Sequence, residues 1–108
     1  MSKAVIANAF SLNMLSGKEM VYFEPVTEDY IKSVIPGRDI YSIVGRAATA
    51  ALISAKLGVE VPYNRENYKL KKRDLMFVCL PNQRLEEGKV LSEEELKKID
   101  MRFWLVQV

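Results

Sequence analysis

The stretch from Tyr41 to Arg65 places the tightest limits on the fold, because it carries signals for a strand, a helix and both ends of that helix. An apolar run over Tyr41–Val44 meets Gly45, and the spacing that follows predicts a helix over Ala47–Leu57. Gly58 stands where a helix favours a residue with positive φ just beyond its last turn. The chain therefore passes from a strand into a capped helix, as α/β architectures do.

Small and apolar residues recur along this helix at i, i+3, i+4 and i+7, which predicts one packed face. That face comprises Ala48, Ala51, Leu52 and Ala55. At the beginning of the helix, Gly45 would let a ligand approach backbone N–H groups, which together with the helix dipole favour an anion. Arg46 and Arg65 bracket the helix with positive charge. These features indicate an anion-binding site; the alternative is a packed helix with two solvated arginines.

Composition narrows the class of protein. The chain has 108 residues, of which 49% are hydrophobic and 28% are charged, as expected for one globular domain over residues 1–108. The formal net charge of +2 does not require nucleic acid as a partner. There is no apolar run of 18 residues and no signal-peptide pattern, so the sequence predicts a cytoplasmic protein that does not enter a membrane.

Histidine is absent and only one cysteine is present, which excludes several kinds of site. Histidine is the commonest general acid–base and the commonest metal ligand, so neither a Ser–His nor a Cys–His nucleophile system can form. The single Cys79 allows no internal disulfide, and we interpret it as a small core residue. We therefore expect neither a metal site nor a cofactor.

Local signals predict the other elements. An unbroken apolar run predicts a buried strand over Lys3–Ala9, and weak alternation over Met20–Glu24 is typical of an edge strand. Thr27 fits the N-cap of a short helix, and Ser92 with Glu95 fits the capping box of another.

Three further strands are predicted over Glu66–Leu70, Leu75–Leu80 and Arg102–Val108, the first two joined by a solvated basic hairpin turn at 71–74. This alternation predicts a single α/β or α+β layer of about five strands.

Small polar side chains follow the first predicted strand, at Asn8, Ser11 and Asn13. In open α/β sheets, ligands bind beyond the carboxyl ends of the strands, so these side chains are candidates to face a ligand. The alternative is that they only stabilise the turn after the strand.

Three motifs, taken together, resemble a known family. The run ANAFSLNML lies at residues 7–15, Asn64–Arg65 follows the turn LGVEVP at residues 57–62, and the loop QRLEEGK at residues 83–89 precedes a capped helix. In this order, and with nearly matching spacing over almost the whole chain, they resemble the viral anti-CRISPR ring nucleases.

The resemblance implies a homodimer in which a mixed sheet is flanked by helices. It also implies a pocket across the dimer interface that binds cyclic tetra-adenylate, the second messenger of type III CRISPR defence. Members of that family cut the ring without metal, by attack of a ribose 2′-OH on the adjacent phosphate. A histidine after the glycine that opens the central helix protonates the departing 5′-oxygen, and a glutamate of the QRLEEGK loop assists. The ligand-binding residues expected here are Asn8, Ser11, Asn13, Gly45, Arg46, Arg65, Gln83 and Arg84.

The chain departs from the family at the catalytic histidine, whose position holds Arg46, whereas Glu87 matches the assisting glutamate. Arginine stays protonated and cannot act as a general acid, although it can stabilise charge that develops on a phosphate. We therefore expect Arg46 and Glu87 to be the catalytic residues of a protein that sequesters cyclic tetra-adenylate or cleaves it slowly. The alternatives are a fully active ring nuclease that uses the same two residues, a non-enzymatic RNA- or DNA-binding dimer that uses Lys69–Arg73, and a structural dimer whose site has decayed.

Overall fold

A mixed β-sheet forms the centre of the fold. The computed structural model describes residues 3–86 and 88–108, and within them five strands form one sheet in the order β2-β5-β4-β1-β3. These strands are β1 (Ala4–Ala7), β2 (Tyr22–Val26), β3 (Ile40–Ser42), β4 (Leu75–Pro81) and β5 (Met101–Gln107). β1 pairs in parallel with β3 and β4, whereas β5 pairs antiparallel with β4 and β2. The predicted mixed sheet of about five strands is therefore confirmed, with β2 at an edge.

Three helices accompany the sheet in the described part of the chain: α1 (Glu28–Val34), α2 (Ala47–Leu57) and α3 (Glu93–Lys97). α1 begins at Thr27, whose hydroxyl accepts a hydrogen bond from the Tyr30 backbone N–H at 3.0 Å. α3 begins with the predicted capping box of Ser92 and Glu95, and α2 ends at Gly58 with a φ of 71°. Among the described residues, no helix is long and apolar enough to cross a membrane.

The main core lies between one face of the sheet and the helices. α1 contributes Ile31 and α2 contributes Ile53 to this core, where they pack with Ile6 of β1 and Phe77 of β4. Cys79, in the same cluster, is fully buried, and burial raises the pKa of its thiol to about 12. Its interpretation as a core residue is confirmed.

The predicted packed face of α2 is wrong in part. Ala51 is exposed, and Ala48 and Ala55 are only half-buried. The helix instead turns its larger side chains inward, because burying Ile53 or Leu57 removes far more apolar surface from water than burying alanine does. Its buried residues are Thr49, Ala50, Leu52, Ile53 and Leu57.

The predicted strand over Glu66–Leu70 is also wrong, because this segment forms no ladder with the sheet. It lies over the second face, where Tyr68 and Leu70 are buried against Met76 and Val106. Any extended segment lying on a core buries alternate side chains, so the sequence shows the same period as a paired strand. No hairpin exists at 71–74, although the turn does expose its basic side chains.

The turn at 71–74 is fixed by the buried carboxylate of Asp74. Its Oδ2 accepts hydrogen bonds from the Tyr68 hydroxyl at 2.6 Å and from the Lys71 backbone N–H at 3.0 Å. Burial, together with this hydrogen bond to Asp74, raises the pKa of Tyr68, which therefore remains a donor across the physiological range. A polar pair thus stabilises the end of the segment that covers the second face.

We expect Tyr68→Phe to lower the free energy of unfolding by about 1.5–3 kcal/mol, the usual size for a hydrogen bond to a charged group. The reason is that Asp74 would keep only its backbone donor. Urea-induced unfolding measures this change. The control is Tyr30→Phe, which removes an exposed hydroxyl on α1 and should change stability by less than about 0.5 kcal/mol. Equal losses in the two variants would show that the Tyr68–Asp74 bond contributes nothing.

Candidate functional site

The carboxyl ends of three parallel strands meet at one edge of the sheet. β1 lies between β3 and β4 and runs in the same direction as both. The segments that leave these strands therefore begin side by side: Asn8 after β1, Gly45 after β3, and Gln83 after β4. In open sheets this edge is where ligands bind. The order of the strands in the sheet thus brings together residues that are far apart in sequence.

Gly45 lies next to both Asn8 and Arg65 at the start of α2. The Gly45 N–H donates to Asn8 Oδ1 at 3.2 Å. A Cβ atom at position 45 would lie 3.3 Å from Arg65 Cγ, so glycine leaves room for the arginine stem. Any larger residue would force that stem to shift by a few tenths of an ångström. These three predicted site residues are therefore brought together.

Arg46 connects the start of α2 to the loop after β4. It occupies the N-cap position, but its side chain does not cap the helix. Instead, Arg46 Nη2 donates to the Leu85 backbone carbonyl at 3.1 Å. The predicted site residues Gln83 and Arg84 lie on the same loop and are exposed. The loop and the helix start therefore adjoin on one surface, which carries Arg46 and Arg84 together with the exposed Glu86.

A groove of about 560 Å³ opens between α2, the loop after β4 and α3. The exposed alanine face of α2 forms one side of it, which gives those alanines a different role from the predicted packing. The lining residues are Ala47, Ala48, Ala51, Gln83, Arg84, Leu85, Glu86, Gly88, Lys89, Val90, Leu91, Glu95, Leu96 and Ile99. Apolar walls with a few polar groups at the rim are typical of ligand sites.

Ser11 and Asn13 form their hydrogen bonds with a different part of the chain from the start of α2. They belong to a 3-10 turn over Leu12–Met14, in which Ser11 Oγ accepts from the Asn13 N–H at 3.1 Å. The Asn13 carbonyl accepts from Lys69 Nζ at 2.6 Å. Within residues 3–86 and 88–108, no hydrogen bond joins Ser11 or Asn13 to the start of α2. Ser11 thus stabilises this turn within its own chain. Glu87 lies outside the described residues.

The charges at this site suit phosphate. Arg65 and Arg84 are exposed, and neither guanidinium makes a hydrogen bond or ion pair with another described residue. A guanidinium presents a rigid fork of donors that matches phosphate oxygens. Among the described residues, no group of three or more Cys, Asp or Glu side chains could hold a metal ion. The arrangement can therefore bind an anion and stabilise charge that develops on it.

Sequence reasoning missed the contacts that hold Arg65. The Asn64 side chain donates to the Ser42 carbonyl at 2.8 Å and to Glu66 Oε1 at 2.6 Å. The available signal was the polar triplet Asn–Arg–Glu, separated by one residue from Pro62, because a short amide beside a turn commonly bonds to nearby backbone.

An apolar pocket on the second face of the sheet was also missed; among its lining residues Val78 and Val106 are buried, whereas Phe23 is exposed. We call this surface the sheet patch; it comprises Phe10, Phe23, Val78, Leu80, Trp104 and Val106. Phe10 and Phe23 meet edge to face with ring centroids 5.2 Å apart, yet the Phe23 side chain remains 52% exposed. Neighbouring Tyr22 on β2 is 60% exposed. Exposed aromatic side chains beside an apolar pocket make this surface a candidate interface.

Comparison with known proteins gives consistent matches over the whole fold. The family model described as STIV B116-like matches residues 4–103. Uncharacterized protein 26 of Sulfolobus islandicus filamentous virus is 33% identical over 105 residues, which cover 95% of this chain and 89% of that protein. Uncharacterized protein ORF116 of Acidianus filamentous virus 1 is 32% identical over 95 residues, covering 87% and 82% respectively. The solved structure of B116 of Sulfolobus turreted icosahedral virus matches with a TM-score of 0.80 and 28% identity, over 99% of this chain and 100% of that one.

Proposed function

This chain belongs to the STIV B116-like family of archaeal viral proteins, and on that premise we propose that it is an anti-defence protein that binds cyclic tetra-adenylate. It sequesters the ring or cleaves it slowly. The observation that carries the proposal is the convergence of Arg46, Arg65 and the Arg84 loop at the carboxyl edge of the parallel strands. Cations held on separate segments around one edge suit a ligand that carries several phosphates.

The partner in this proposal is a second copy of the same chain. A ring with four equivalent phosphates can meet two identical half-sites across a twofold axis. Three arginines per protomer would then place about six guanidinium groups near four phosphates. This explains how a protein with a net charge of +2 can present a strongly basic site.

The sheet patch is the surface that the second copy covers. Phe10 belongs to this patch and lies in sequence between Asn8 and Ser11, so the patch is continuous with the segment that carries predicted ligand-binding residues. A copy seated there would bring Ser11 and Asn13 of both protomers to the interface. That would give these two residues a ligand contact which a single chain does not provide.

Slow cleavage follows from the chemistry of Arg46. Its guanidinium keeps positive charge at the start of α2, where it can stabilise a phosphate under attack. It supplies no proton to the departing 5′-oxygen, because arginine does not deprotonate in proteins. Loss of a general acid typically costs about 10²–10⁴ in rate. Binding is therefore retained better than cleavage.

We expect the protein to bind cyclic tetra-adenylate more tightly than the cyclic tri- or hexa-adenylate. Calorimetric titration measures the affinities, and chromatography after incubation separates products from intact rings. Arg84→Ala should weaken binding by about 10- to 150-fold, the equivalent of a charged hydrogen bond. Lys72→Ala removes the same charge from the exposed 71–74 turn and should change affinity by less than about threefold. Failure of the folded wild type to bind any of the rings would overturn the proposed function.

Arg46→His should accelerate cleavage by up to about 10²–10⁴, because imidazolium can donate the missing proton. The rate of this variant should fall as pH rises and the imidazolium loses its proton. Single-turnover cleavage of cyclic tetra-adenylate measures both effects. Arg46→Gln also loses the guanidinium but gains no acid, so it serves as the matched control and should remain slow. A wild type as fast as Arg46→His would instead favour a fully active nuclease that uses Arg46.

We expect the wild type to sediment as a dimer at micromolar concentration and Phe23→Glu to sediment as a monomer. A buried carboxylate without a partner would oppose association through the sheet patch. Tyr30→Glu introduces the same charge at an exposed aromatic residue of α1 and should leave the dimer intact. A wild type that is monomeric with and without the ring would contradict the dimer, and a Phe23→Glu dimer would place the interface elsewhere.

A further inference from the structure

The segment that carries Arg65 is fastened to the end of β3 by individual hydrogen bonds rather than by a strand ladder. Ser42 Oγ donates to the Pro62 carbonyl at 2.6 Å. The Asn64 backbone N–H donates to the Val44 carbonyl at 2.9 Å. The backbone immediately before Arg65 is therefore fixed relative to the start of α2, which follows β3 directly.

Asn64 and Glu66 extend this attachment to both neighbours of Arg65. A side-chain amide has two hydrogens to donate, and Asn64 places one on the Ser42 carbonyl and the other on Glu66 Oε1. The same Glu66 oxygen accepts from the Tyr41 hydroxyl at 2.6 Å. The residues before and after Arg65 are thus bonded to each other and to β3.

Tyr41 is itself held in place. Its ring lies 5.5 Å from the ring of Tyr68, and Lys3 Nζ lies 4.5 Å from its centroid. The hydrogen bonds from Tyr41 and Asn64 lower the pKa of Glu66, which keeps its carboxylate ionised as an acceptor. The network therefore continues into the aromatic cluster on the second face of the sheet.

Between these two fixed neighbours, Arg65 extends its stem over Gly45. The glycine leaves room for this stem, since a Cβ at position 45 would lie only 3.3 Å from Arg65 Cγ. Among residues 3–86 and 88–108, the guanidinium has no hydrogen-bond or ion-pair partner. A side chain whose backbone is fixed on both sides, and whose charged end is unoccupied, has less freedom to lose when it binds a ligand.

We infer that Asn64 and Glu66 are positioning residues for Arg65. They direct its guanidinium towards a phosphate at the start of α2, without contacting the ligand themselves. This inference rests on the proposed binding of cyclic tetra-adenylate and adds to it the reason that one of the phosphate-binding cations is pre-organised. Its consequence is that Asn64 matters for affinity only while Arg65 is present.

A double-mutant cycle tests this dependence by titration with cyclic tetra-adenylate. We expect Asn64→Ala to weaken binding about tenfold in the wild type and to have no further effect in the Arg65→Ala background, because coupled neighbours do not act additively. Glu66→Ala should behave in the same way, whereas Glu66→Gln keeps an acceptor oxygen and should retain most of the affinity. Equal losses from Asn64→Ala in both backgrounds would overturn the inference.

A second measurement needs no ligand and separates failure of this inference from failure of the proposed function. The heteronuclear NOE of the Arg65 Nε–H should be high in the free wild type and should fall in Asn64→Ala and Glu66→Ala, while that of Arg84 stays unchanged. An unchanged Arg65 signal would overturn the positioning role even if the ring binds. A wild type that binds no ring, but whose Arg65 signal falls in the variants, would overturn the proposed ligand alone. If Asn64→Ala does not fold, Tyr41→Phe removes one donor to Glu66 and should lower the same signal.

Discussion

The parallel pairing of β1 with both β3 and β4 is the constraint on which the candidate site depends. Parallel neighbours end at the same edge of a sheet, so three segments distant in sequence leave from adjacent positions. β1 can occupy this interior position, between β4 and the edge strand β3, because it is apolar throughout and buried on both faces. The Asn8–Gly45 hydrogen bond then joins two of these segments directly. Without that order of strands, Asn8, Arg46 and Arg84 would not share a surface.

Elements with their own local signals were predicted well from the sequence. α2 begins and ends where Gly45 and Gly58 predicted, and α1 and α3 start at their expected caps. Each of these signals acts over a few residues, so no tertiary information was needed. The error at Glu66–Leu70 has the opposite origin. Alternating burial reports which side chains face a core, but it does not report whether the backbone is paired.

The candidate site was predictable as a set of residues but not as an arrangement. Motif matching named Arg65, and the same motif contained Asn64 without indicating what its amide would bond to. The partner of that amide is a backbone carbonyl on another strand, which only the topology brings near. Similarly, the sheet patch could not be identified in advance, because Phe10 and Trp104 become neighbours only when β5 pairs with β2 and β4. Long-range pairing therefore determines both surfaces proposed to act in function.

The burial of Cys79 has a practical consequence for anyone who studies this molecule in solution. Because the side chain is fully enclosed and its thiol has a pKa of about 12, thiolate is almost absent at neutral pH and maleimide reagents have no access to it. A cysteine introduced on the surface would then be the one thiol that reacts, since the chain has no other. Single fluorophores or spin labels could thus be attached to the folded wild-type background, and inter-probe distances could be followed without first removing a native residue.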